Sequence, residues 1–141
     1  MKKFFVLLVM AVSLLLGCND AALQIQARTA DGIAQAANAS LPMLVERWRQ
    51  QGFDSLREVL RRKGSREEAE AAVTAVEAEW APVWKAWDAL QIAQDHWATA
   101  IESGGALGVA LTEMVSAYCE FRAVWPKYIP VMPLAPLRCG Q

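Results

Sequence analysis

The chain has 141 residues, 55% of them hydrophobic, with 14 basic and 15 acidic side chains and a formal net charge of −1. This is enough chain for one domain with a buried core. A balance this close to neutral argues against nucleic acid as a partner, which needs a basic surface.

The first element is a signal. Lys2 and Lys3 precede an apolar run over residues 4–16, broken by one serine. Its length suits the hydrophobic region of a secretory signal and is too short to span a bilayer as a helix. Leu15-Leu16-Gly17-Cys18 follows. The segment resembles the lipobox of bacterial lipoproteins, which is Leu, two small or apolar residues, then Cys. The resemblance covers residues 1–20 only. It implies cleavage before Cys18, a diacylglycerol on the cysteine sulfur, and a third acyl chain, such as palmitate, on the new amino terminus. Two or more acyl chains hold a protein stably on a membrane, at about 0.8 kcal/mol per buried methylene. In that family an aspartate right after the cysteine favours the inner membrane; Asn19 stands here, with Asp20 next. The implied location is the outer membrane, with the body facing the periplasm. The alternatives are an ordinary cleaved signal that contains a cysteine, or an uncleaved anchor. The expected division is a signal over 1–17, a helical bundle over 18–125 and a proline-rich tail over 126–141.

The body reads as helix throughout. Leu23, Ala27, Ala30, Ala34, Ala37, Leu41, Leu44 and Trp48 step by four and three, the spacing of a bundle seam. Pro42 removes a donor, so this helix either kinks there or ends near Asn38. Gly52 predicts a break, and residues 54–63 a short separate helix with Leu56, Val59 and Leu60 on one face. Gly64 is placed to cap that helix. Ser65 and Glu68 form a capping box for the next, which Glu67 also favours.

The longest stripe then runs through Ala69, Val73, Val76, Trp80, Val83, Trp87, Leu90, Gln94, Trp97 and Ile101. Helical throughout, residues 66–102 would extend about 55 Å. Pro82 should bend this helix without ending it, because the stripe keeps its phase. Ser103-Gly104-Gly105 stops it. Leu107, Leu111, Met114, Tyr118, Phe121 and Trp125 predict a last helix, halted by Pro126. No segment combines period-two alternation with strand length and turn signals. The fold class expected is all-α: an up-down-up bundle of three main helices plus the short one. Alanines on the first helix should interdigitate with tryptophans on the long one.

The tail, "PKYIPVMPLAPLRCGQ", cannot be helical and should be extended or polyproline-like, with Ile129, Met132, Leu134 and Leu137 along the bundle. With Cys18 acylated, Cys119 and Cys139 remain, and an even pair in an oxidising compartment predicts a disulfide. They lack the C-x-x-C spacing of redox-active thiols.

Candidate chemistry is sparse. Trp80, Trp84 and Trp87 share one helical face and form either an aromatic contact patch for a glycan, an apolar ligand or a partner, or part of the core. Two occupy seam positions, which favours packing; Trp84 lies beside the seam and is the one placed to reach a groove. His96, the one histidine, follows Asp95, but a metal site needs three or four ligands. Arg57, Arg61, Arg62, Lys63 and Arg66 suit a solvated helix end, or an anionic lipid or peptidoglycan. Gly104, Gly105 and Gly108 lack the strand-before-helix setting of a phosphate loop and suggest close helix approach. There is no G-x-S-x-G, no H-E-x-x-H and no convincing acid pair, so neither catalytic residues nor a cofactor nor a metal is expected.

The expected function is therefore a membrane-anchored, non-enzymatic scaffold or interaction module with a protein partner in the envelope. The second reading is a ligand-binding module that opens a tryptophan-lined groove near Pro82. A third is a phage-encoded lipoprotein of host lysis or superinfection exclusion.

Overall fold

Alanine, leucine, glutamine, glutamate and arginine fill most of the body, and these residues lose least on entering a helix. The computed structural model describes the backbone of residues 2–127 together with residues 129 and 139, and side chains from residue 21 onward. It resolves the body into three helices: α1 (Lys2–Arg61), α2 (Arg66–Ser103) and α3 (Leu107–Ala123). There is no strand among the described residues. Nor is any helix long and apolar enough to cross a membrane among the described residues.

The helices share one core. From α1 it takes Ala30, Ile33, Ala36, Ala37 and Leu44; from α2, Val76, Trp80, Val83, Trp87 and Leu90; from α3, Met114, Ala117, Tyr118 and Phe121. The stripes expected on α2 and α3 are those buried. On α1 the buried face is rotated from the expected seam: Ile33 and Ser40 lie inside, whereas Ala34 and Leu41 are half-buried. Ser40 tolerates burial because its hydroxyl donates to the Ala36 carbonyl at 2.6 Å, so no polar atom of it is left unsatisfied. Two apolar residues expected on packed faces near helix ends stay largely in water. Leu60 is 73% exposed and Ile101 55%.

The separate short helix is not formed. α1 continues through Gly52 to Arg61, so the body has three helices rather than three and a fourth. A glycine in a helix interior costs roughly 1 kcal/mol relative to alanine, and tertiary contacts beside it offset that. Gln51 donates to Glu79 at 2.7 Å and accepts from the Trp80 indole N–H at 2.8 Å, which fixes this turn against α2. Pro42 is likewise carried inside α1. The carbonyl it leaves unpaired belongs to Asn38, which is exposed and open to water. α2 passes through Pro82, also exposed, as expected.

The cap of α1 sits one residue earlier than expected. Gly64 N–H donates to the Val59 carbonyl at 2.9 Å and Lys63 N–H to that of Leu60 at 3.0 Å. This double bond is the Schellman arrangement, and it puts Lys63, not Gly64, in the left-handed region, at φ 54°. Gly64 is required for space: a Cβ there would meet the Glu68 carboxylate and lie 2.7 Å from Val59 Cγ1. At the end of α2 the same motif places Gly104 at φ 66°, with Gly105 N–H on the Ala100 carbonyl at 2.9 Å. Lys63→Gly should therefore raise stability by about 0.5–1 kcal/mol, the left-handed penalty less the added chain entropy. Gly64→Ala should lower it. Urea midpoints that moved the other way would refute this account of the turn.

Ser65 caps α2, its hydroxyl accepting from Glu68 N–H at 3.2 Å. The Glu67 carboxyl is held below its ordinary pKa by its own backbone N–H and by the Ser65 hydroxyl. Close helix approach at Gly104 and Gly108 does not occur, since a Cβ at either would meet nothing within 4 Å.

Candidate functional site

Aromatic side chains link the helices. Trp80 and Trp84 stack with centroids 5.7 Å apart, and Trp48 of α1 meets Trp84 edge-on at 5.8 Å. A second series runs from Trp87 to Phe121 at 5.6 Å and from Phe121 to Trp125 at 5.8 Å, both edge-on. Aromatic pairs at these separations add about 0.5–1.5 kcal/mol each beyond their buried area. Trp80 and Trp87 belong to the core, and Trp84 is half-buried against it. Of these three, Trp84 reaches the surface most.

An apolar groove lies beside this series and includes Trp48 itself. The groove, about 170 Å³ between α1 and α2, is lined by Trp48, Gly52, Phe53 and Leu56 on one side and by Val73 and Val76 on the other. Arg49 and Glu77 stand at its rim. Gly52 has no atom within 4 Å of where a Cβ would stand, so the groove is open along that edge. Phe53 is 58% exposed. It also borders a larger, more polar hollow lined by Glu46, Arg49, Gln50, Asp54 and Arg57 of α1. Phe53 was not singled out in the sequence, because the break expected at Gly52 removed it from any helical face. Had the helix been carried through that glycine, Trp48, Phe53 and Leu56 would have fallen near one another.

The other candidates are placed as follows. His96 Nδ1 lies 3.1 Å from Glu113 of α3, so its partner is across the helix pair rather than the adjacent Asp95. Both side chains are at least half exposed, where such a pair contributes little. Among the described residues, no group of three or more His, Cys, Asp or Glu side chains converges as a metal site would require. In the basic run, Arg57 pairs with Asp54, Arg61 with Glu58 and Arg66 with Glu70, all on the surface. Cys119 and Cys139 are joined in a disulfide with Cα atoms 5.5 Å apart. Ile129, buried, accepts a hydrogen bond from the Trp125 indole at 3.2 Å. Most of the proline-rich tail lies outside the described residues, as does the side chain of Cys18.

Compared with known proteins, the chain matches no family model, no curated protein and no solved structure.

Proposed function

We propose that the chain is a lipid-anchored envelope protein of the outer membrane, with its body in the periplasm, and that this body is a non-enzymatic docking module for another envelope protein. The lipobox-like Leu15-Leu16-Gly17-Cys18 supports the anchor. The helices run up-down-up in this reading: Trp48 meets Trp84 and Gln51 meets Trp80, while Trp87 meets Phe121 and His96 meets Glu113. Each pair steps back along one helix as it steps forward along the other.

The observation that carries the docking role is Phe53, a large apolar side chain left largely in water at the mouth of an apolar groove. Its best-fitting occupant is an amphipathic helix. The floor is narrow and apolar, and Arg49 and Glu77 offer both signs of charge at the rim. A photoactivatable side chain at position 53 should give a discrete adduct in living cells, mapped to the apolar face of a helix in another envelope protein. Phe53→Asp should abolish the interaction without lowering the melting temperature. Adducts only to a second copy of this chain, or none, would overturn the reading. A second reading, a small apolar or glycan ligand at Trp84, draws on that ring's half-buried position. It requires a fluorescence change that Trp84→Ala removes.

A further inference from the structure

The two ends of the bundle differ sharply in chemistry. Around the α1–α2 turn, residues 54–70 include Asp54, Arg57, Glu58, Arg61, Arg62, Lys63, Arg66, Glu67, Glu68 and Glu70. Around the α2–α3 turn, Glu102 is the only ionisable side chain between residues 97 and 112. Two large apolar side chains flank that second turn in the open: Ile101, at 55% exposure, and Val109, at 61%. Leu23 and Ile25 are also exposed, in a stretch of α1, residues 21–27, that carries no charge.

Position explains the difference. Gln51 sits level with Glu79 and Trp80, so residues near 28 of α1 lie level with the end of α2 at Ser103. Cys18 is ten residues before Arg28, a distance of about 15 Å along a helix. The end poor in charge is therefore the end beside the anchor, and the charged end points away from it.

We propose that the α2–α3 turn is a membrane-contacting surface: the body leans across the roughly 15 Å that separates the turn from the anchor along α1, and Ile101 and Val109 sit in the interfacial zone of the bilayer that holds the anchor. This rests on the lipidation of Cys18. Charged groups are costly to bring against a low-dielectric layer, and this end carries few of them, Arg28 and Glu102 among them. Gly104, Gly105 and Gly108 add no bulk between the backbone and the lipid. The contact need not be strong, because a tether keeps it at high effective concentration. Its attraction is apolar, so it should be indifferent to salt and to the charge of the lipid headgroups.

The test uses the full acylated protein, purified from cells and reconstituted in phosphatidylcholine vesicles that contain a photoactivatable phosphatidylcholine. After illumination, lipid adducts should map to residues 101–109 and be absent from residues 54–70. The double variant Ile101→Asp, Val109→Asp should lose at least fivefold of the label at that end. Its melting temperature should stay unchanged, since both side chains are exposed. Raising the salt concentration should leave the label as it was. An intact mass that shows lipid on Cys18, with no label at residues 101–109, would overturn this proposal and leave the anchor standing. An intact mass without that lipid would overturn both.

Discussion

Replacing Cys119 and Cys139 together by serine is expected to lower stability by about 3 kcal/mol. The bridge joins residues 20 apart, and closing a loop of that length removes roughly this much free energy from the unfolded chain's conformational entropy. For a body of this size the melting temperature should fall by about 10–15 °C. Circular dichroism on the wild type in a thiol reductant should reproduce the shift, and the double variant should be indifferent to reductant. A shift of only a degree or two would show that the bridge does not constrain the chain. The loss has a local side as well. Cys119 and Cys139 both pack against the core cluster, so loss of the bridge would loosen the packing at these two positions.

Trp80→Ala should be the most damaging single substitution in the body, at about 3–5 kcal/mol. The ring is fully buried, stacks on Trp84 and donates to Gln51. Its removal leaves a large cavity between α1 and α2 and takes away the contact that fixes α1 against α2 beside Gly52. Trp84→Ala should cost clearly less, because that ring already has one side in water. Phe53→Ala should hardly matter to stability, for the same reason carried further. Chemical denaturation of the three variants tests this order directly. Equal losses at positions 80 and 53 would contradict the assignment of one to the core and the other to the surface.

Much of the fold was legible, and the parts that were not have identifiable causes. The stripe of α2 could be read because bulky apolar residues alternate with charged ones, and that of α3 because its bulkiest side chains, Met114, Tyr118 and Phe121, recur at helical spacing. On α1 the contrast is poor. Alanines surround it on several sides, so spacing alone did not separate Ile33 and Ser40 from Ala34 and Leu41. Ser40 could be identified only through the carbonyl it bonds within its own helix. Gly52 misled because local propensity at one residue is worth about 1 kcal/mol, less than the contacts Gln51 and Trp48 make with α2. Gly64 was expected to supply a left-handed residue, whereas its real contribution is the missing Cβ against Val59 and Glu68. The cysteine pairing was legible from parity and from the compartment that the lipobox resemblance implies. The groove at Phe53 was not, since it exists only once two helices are laid side by side.

The unbroken course of α1 has a mechanical meaning. From Ala21 to Arg61 the helix is about 60 Å long at 1.5 Å per residue, and it continues through the glycine and the proline along it. A lean of only 10° at the foot carries the far tip sideways by roughly 10 Å on that lever arm. Two helices hinged at Gly52 would absorb such a swing, and one continuous shaft delivers it whole.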